Sequence, residues 1–158
     1  MPTIEDVKTY LDDRGVRVLE FDDPTPTSET AARAVGCSVG EIAKTILFLV
    51  GGEPVAVLTS GDHKVRGSKL KQALGLSGKT RLPSADEVQR HTGYAPGGVC
   101  PFLLPAGLRV LLDLSLRRFE VVYPAAGSDH SAVPITVDRL LEITGGVEAD
   151  VGEMLRQA

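Results

Sequence analysis

Residues 45–59 read T-I-L-F-L-V-G-G-E-P-V-A-V-L-T. Thr45 to Val50 is an unbroken apolar run, too short for a helix and rich in strand-forming side chains, so it reads as a buried strand. Pro54 to Thr59 is a second such run. Gly51-Gly52-Glu53 between them is a tight hairpin connection. This hairpin places a sheet at the centre of the fold, and the rest of the chain is read around it.

Helical signals flank the hairpin on both sides. Thr3 caps a first helix to about Asp13, with Ile4, Val7 and Leu11 on one face, and Gly15 stops it. Ser28 to Val35 is a short helix closed by Gly36. Val65 to Leu74 reads as a helix with Leu70 and Leu74 inward and Lys64, Lys69 and Lys71 outward, ended by Gly75. Ser84 opens another, with Glu87 completing a capping box, and it ends by Gly93. Val137 to Thr144 is the last helix, capped near Thr136 or Asp138. Val16–Phe21, Arg109–Leu114, Phe119–Tyr123 and Val133–Val137 read as further strands. Strands and helices mix without strict βαβ alternation, which predicts one α+β domain over residues 1–158.

Composition narrows the function classes. The chain has 158 residues, 42% hydrophobic and 24% charged, values of an ordinary globular protein. Thr45–Val50 is its longest apolar stretch, too short for a bilayer, so no membrane partner is expected. The N-terminus has no basic and apolar signal regions. Two cysteines, Cys37 and Cys100, make no disulfide framework, and a cytoplasmic location is expected. The net charge of −4 excludes a uniformly basic nucleic-acid binder, and DNA is not an expected partner. The charge is uneven, however. His63 to Ala85 holds six cations and no carboxylate: Lys64, Arg66, Lys69, Lys71, Lys79 and Arg81. Such a face either meets phosphates or is simply solvated.

Chemistry-bearing patterns are few. His63, His91 and His130 are scattered, and the cysteines lie 63 positions apart, so neither a metal nor a cofactor is expected. Residues 93–102, G-Y-A-P-G-G-V-C-P-F, hold three glycines and two prolines. They form a fixed loop, either an ordinary surface turn or a set of exposed N–H groups for a developing negative charge. Cys100 within it reads as a small buried hydrophobe or as a nucleophile. Lys44 opens the apolar strand, ending it at the surface or sitting at a pocket mouth. Asp129 and His130, in the turn Gly127-Ser128-Asp129-His130, are an acid–base pair or two unrelated exposed side chains.

Four segments together carry a resemblance. They are Ile42-Ala43-Lys44-Thr45-Ile46-Leu47-Phe48, the stretch Val57 to Gly75, Gly93-Tyr94 with Gly97-Gly98-Val99-Cys100-Pro101-Phe102, and Ala126-Gly127-Ser128-Asp129-His130. In order and rough spacing, from about residue 27 to residue 144, the chain resembles the YbaK/EbsC family. Its members are relatives of the editing domain inserted in bacterial prolyl-tRNA synthetases. The resemblance implies a highly curved mixed β-sheet, partly barrel-like, flanked by helices. It implies a trans-acting deacylase that hydrolyses the ester of mischarged tRNA, often tRNA for proline, without a metal or an enzyme nucleophile. The implied partners are the 3′ acceptor end of aminoacyl-tRNA and an aminoacyl-tRNA synthetase.

By the same resemblance, Lys44 lies near the terminal adenosine and the scissile ester. Gly97 and Gly98 belong to the G-x-x-x-P loop whose backbone lines the reactive carbonyl. Thr45, Val99, Cys100, Pro101, Gly127 and His130 are then expected to border the substrate, and the local positive charge of Lys64, Lys69 and Lys71 is expected to face the tRNA. Relatives selective for alanine carry a different last turn, closer to His-Pro followed by Asn-Thr. The amino acid removed therefore stays open. Two alternatives stand beside this expectation: a non-catalytic tRNA-binding module of the same fold, and a thiol hydrolase using Cys100.

Overall fold

A computed structural model describes residues 2–156; Met1, Gln157 and Ala158 of the expected 1–158 domain lie outside the described residues. In chain order the helices are α1 (Ile4–Asp12), α2 (Ser28–Val35), α3 (Gly67–Leu74), α4 (Ala85–Thr92) and α5 (Val137–Thr144). The strands are β1 (Leu19–Glu20), β2 (Ile42–Val50), β3 (Glu53–Ser60), β4 (His63–Val65), β5 (Thr80–Arg81), β6 (Arg109–Asp113), β7 (Tyr123–Pro124), β8 (Ser131–Ala132), β9 (Val147–Ala149) and β10 (Gly152–Met154). Short 3₁₀ turns occupy Val39–Glu41, Pro96–Gly98 and Leu114–Arg118. The fold is mixed α+β, as expected.

The hairpin is the spine of the main sheet. β2 and β3 pair antiparallel from Ala43↔Ser60 to Val50↔Glu53. β6 adds parallel to β3, and β9 parallel to β6. On its other edge β2 has two partners: β7 runs parallel at Ile42 and Ala43, and β5 antiparallel at Leu49 and Val50. Residues 44–48 between them have no strand partner on that edge among the described residues. The order β5-β2-β3-β6-β9 is open-ended.

Both faces of this sheet are covered, which explains the unbroken apolar runs. Ala56 and Leu58 of β3 join Val110 and Leu112 of β6 in a core with Val7 and Leu11 of α1 and Leu140 of α5. Their neighbours Val55, Val57 and Leu111 point the other way, into a second core with Phe48, Val50, and Leu70 and Leu74 of α3. Period-two alternation therefore divides one hairpin between two cores.

Local chemistry sets the helix ends. Thr3, Thr27, Ser84 and Thr136 each accept a backbone N–H as N-caps. α2 to α5 close on Gly36, Gly75, Gly93 and Gly145, all left-handed.

Four expectations need correction. The helix expected from Val65 begins at Gly67, because residues 63–65 pair with β10 as a strand. Strand Val16–Phe21 shrinks to Leu19–Glu20, and Phe119–Tyr123 to Tyr123–Pro124. Val133–Val137 holds only an isolated bridge, Ile135 to Val122, while the strand lies at Ser131–Ala132. In each case the partner available in space sets the pairing, not the local propensity.

A buried carboxylate fixes the C-terminal strand. Asp113 at the end of β6 is 3% exposed. It accepts the N–H groups of Val151 at 2.8 Å, Gly152 at 2.9 Å and Ser115 at 3.1 Å, and the Thr59 hydroxyl at 3.5 Å. Burial by itself would raise its pKa; the hydrogen bonds outweigh burial and hold the group below the usual carboxylate value.

Candidate functional site

The unpaired edge of β2 opens into a cleft of about 220 Å³. Ile42, Ala43, Lys44 and Thr45 of β2 form one wall. Thr25 to Ser28 and Ala31, at the start of α2, form a second. Pro96, Gly97 and Val99 form a third, and Tyr123, next to Ile42, completes the lining with Ala125, Ser128, Asp129, Ser131 and Ala132.

Lys44 is half-buried, and burial pushes its pKa below that of a free lysine, opposed by the charges of Glu29 and Asp62. Its ammonium makes no hydrogen bond or ion pair within 4.0 Å among the described residues. A lysine held partly out of water without a close partner is available to a ligand. Next to it, the Thr45 hydroxyl is buried and has no hydrogen-bond partner among the described residues.

The glycine-rich loop is pinned from beneath. Tyr94 is buried, and its hydroxyl donates to the Phe102 carbonyl at 2.5 Å, closing the loop on itself. The Gly98 N–H donates to the Ala95 carbonyl at 2.9 Å. The N–H groups of Gly97 and Val99 donate to nothing among the described residues, and both residues line the cleft. Backbone donors beside a cleft are the kind of group that stabilises a tetrahedral oxyanion.

The facing turn is tied just as firmly. The Asp129 carbonyl accepts both the N–H and the hydroxyl of Thr25, at 2.5 and 2.9 Å, and the His130 carbonyl accepts the Phe21 N–H at 2.8 Å. The Ser131 hydroxyl accepts the Ala126 N–H at 3.0 Å and donates to the Ser128 carbonyl at 3.2 Å. Asp129 and His130 do meet: carboxylate and Nδ1 lie 3.0 Å apart. Asp129 lines the cleft, whereas His130 is not among its lining residues.

The structure thus brings Lys44, Thr45, Gly97 and Val99 to one cleft. Gly98 packs behind it, against Gly127. Pro101 and Gly127 are not lining residues. Cys100 is fully buried in the core, where burial pushes its thiol up to about 11. A protonated, enclosed thiol is a poor nucleophile.

The basic stretch is partly neutralised. Lys64 and Arg66 both pair with Glu153, at 3.3 and 2.8 Å, and Lys69 pairs with Asp150 at 2.9 Å and donates to the Gly152 carbonyl at 3.0 Å. Lys71 makes no ion pair within 4.0 Å among the described residues. No group of three His, Cys, Asp or Glu side chains among the described residues is placed to hold a metal ion. No described helix is long and apolar enough to cross a membrane.

Sequence reasoning missed the Thr25–Ser28 wall, Tyr123 and Ser128, and did not place Asp129 in the cleft. The Pro/Thr composition of residues 24–27 and the Thr27 cap signalled a rigid loop there. Its position opposite Lys44 depends on Gly61: a side chain at that position would lie 2.4 Å from the Val39 carbonyl oxygen and 2.8 Å from Ser28 Cβ.

The model of the aminoacyl-tRNA editing domain matches residues 22–143, which contain every cleft residue. The uncharacterized protein YwhH of Bacillus subtilis is 38% identical over 145 residues, covering 90% of this chain and 91% of its own. Proline–tRNA ligase of Citrifermentans bemidjiense is 30% identical over 121 residues, 76% of this chain but 21% of the ligase. The chain therefore corresponds to about a fifth of that larger enzyme. A solved structure described as a candidate trans-editing enzyme for prolyl tRNA synthetase superposes with a TM-score of 0.86, at 32% identity, over 97% of this chain and 98% of that one. The chain belongs to the aminoacyl-tRNA editing domain family.

Proposed function

We propose that this protein is a trans-acting deacylase that hydrolyses the ester of mischarged aminoacyl-tRNA in the cytoplasm, with tRNA for proline as the expected carrier. One observation carries the reading. An ammonium without a close partner among the described residues, Lys44, shares a cleft with the backbone N–H groups of Gly97 and Val99, for which no acceptor stands among the described residues. The terminal nucleotide lies against Lys44. The ester carbonyl points at the Gly97–Val99 backbone, which takes up the negative charge as the tetrahedral intermediate forms. Water, or a hydroxyl or thiol of the substrate itself, attacks the carbonyl carbon. With water as the attacking group, the ribose oxygen leaves with a proton from that water and the free amino acid is released; with a side-chain hydroxyl or thiol of the substrate, the acyl group leaves as a cyclic ester or thioester that water then opens. The chain supplies mainly orientation and electrostatic stabilisation.

Lys71 and the neighbouring basic face would meet the acceptor stem. Support comes from the family membership, the fold match to the trans-editing candidate, and the relationship to proline–tRNA ligases. The test is a panel of mischarged tRNAs incubated with purified protein, with ester loss followed over time. At least one member is expected to lose its amino acid far faster than in buffer. Binding of tRNA without hydrolysis of any member would instead favour the non-catalytic module.

A further inference from the structure

Among the cleft-lining residues there is one cation, Lys44, and one carboxylate, Asp129. The two do not pair within 4.0 Å. A cleft that keeps opposite charges apart suits a ligand that is itself bipolar. The end of an aminoacyl-tRNA is such a ligand, with anionic phosphates on one side of the ester and an α-ammonium on the other. The turn that carries Asp129 is held to Phe21 and Thr25 by three hydrogen bonds, so its carboxylate projects from a fixed backbone. His130 Nδ1, 3.0 Å away, orients that carboxylate from outside the cleft.

We propose that Asp129 is a specificity-determining residue that reads the α-ammonium of the aminoacyl group, apart from the Lys44 contact. This rests on the deacylase reading of the same cleft. It adds a chemical requirement to it: the substrate must carry a free, protonated α-amine. Lys44 and the Gly97–Val99 backbone act on the nucleotide and the carbonyl, and Asp129 fixes which way the acyl group enters. Peptidyl-tRNA, whose α-nitrogen is an uncharged amide, is rejected on charge as well as on size.

The experiment uses stable probes, so binding is read apart from hydrolysis. The pair is 3′-deoxy-3′-(alanylamino)adenosine and its lactoyl counterpart, in which a hydroxyl replaces the ammonium without a change in shape. At about pH 6.5 the α-amine is protonated. The full chain is expected to bind the alanyl probe about tenfold more tightly, the low end for a charge-assisted hydrogen bond at a half-exposed carboxylate. In Asp129→Asn the two affinities should converge to within about twofold, with the lactoyl value unchanged. Asn keeps the shape and the backbone hydrogen bonds; Asp129→Ser repeats the comparison should the first variant melt early. Equal weakening of both probes would reduce Asp129 to a structural role and overturn the proposal. So would an unchanged preference in the variants, or binding of neither probe by the parent chain. Asp129-dependent binding with no hydrolysis of any tRNA ester keeps this inference and removes the deacylase reading. Hydrolysis without ammonium preference does the reverse.

Discussion

Gly98 faces Gly127 with no room to spare for a side chain: a Cβ on Gly98 would lie 3.2 Å from the Gly127 carbonyl oxygen. Gly127 itself has φ +92° and rests against the Tyr94 ring. The two loops that carry Val99 and Asp129 are therefore spaced by bare backbone. Gly98→Ala should push them apart by a few tenths of an ångström. Deacylation is expected to fall by on the order of tenfold, since sub-ångström misplacement already weakens catalysis. The melting temperature should move little. Kinetics and a thermal melt check both; a fully active variant would show that the spacing is immaterial.

Lys44→Ala should lower deacylation by on the order of a hundredfold or more. Lys44→Arg should rescue poorly, because a planar fork does not occupy the same point as an ammonium. Lys44→Met should leave stability unchanged or raised. Its pKa is lower in the folded chain than the ordinary 10.5, so the unfolded chain binds the extra proton between those two values. Stability therefore rises with pH across that window, and the ammonium is held at some cost below it. Activity that needs the ammonium should decline at a pH below 10.5, once spontaneous ester loss is subtracted. Denaturant melts and a pH–rate profile measure both.

Cys100→Ala should retain activity within roughly tenfold, because the loop acts through its backbone. Stability should drop by about 1 kcal/mol for a small buried truncation. In the native protein iodoacetamide should modify half-buried Cys37 well before fully buried Cys100. Mass spectrometry of a time course gives the order, and prompt labelling of Cys100 with loss of activity would revive the thiol mechanism.

Asp113→Asn should cost about 2–4 kcal/mol, because three backbone donors lose a charged acceptor in the interior. The folded pKa is depressed, so this contribution is present above the unfolded value of 3.8 and disappears as pH falls through the folded one. The variant should therefore lose much of the parent's stability difference between neutral and acidic solution. Urea melts at several pH values test this, and hydrogen exchange at Val151 and Gly152 should accelerate first.

Glu153→Gln with Asp150→Asn should free Lys64, Arg66 and Lys69. If tRNA docks on this face, affinity should rise several-fold, and the slope of log affinity against log salt should steepen by about one or two. Replacing Lys64, Lys69 and Lys71 with Ala should flatten the same slope. Salt titrations of tRNA binding read both, and insensitivity in both would leave the stretch as a solvated face.

What the sequence displayed, and what it hid, follows from how local each signal is. Thr27 with Gly36, Ser84 with Glu87 and Gly93, and Thr136 with Gly145 bracket three helices by chemistry within one or two turns. The 45–59 hairpin needed only its own glycines and apolar runs. By contrast, Val147–Ala149 becomes a strand because Leu111–Asp113 lies beside it, and Lys64 is a strand residue because Glu153 is opposite. Strands of two or three residues carry no period of their own. The cleft divides in the same way. Lys44, Thr45, Gly97 and Val99 sit in segments with recognisable motifs. Thr25, Tyr123 and Asp129 reach the cleft only through contacts made by the folded chain.

The forked pairing of β2 bears on how such a cleft can change over generations. Lys44 rides on a strand clamped at one end by β7, at the other by β5, and along its length by β3. Much of the surrounding lining, Thr25 to Thr27, Pro96, Gly97 and Val99, and Ala125, Ser128 and Asp129, lies in loops and turns, whose side chains can be exchanged without disturbing that clamp. On the proposed deacylase reading, mutation can thus rewrite which acyl group fits while the lysine stays in place, and a lineage can acquire new substrates without reinventing the hydrolytic step.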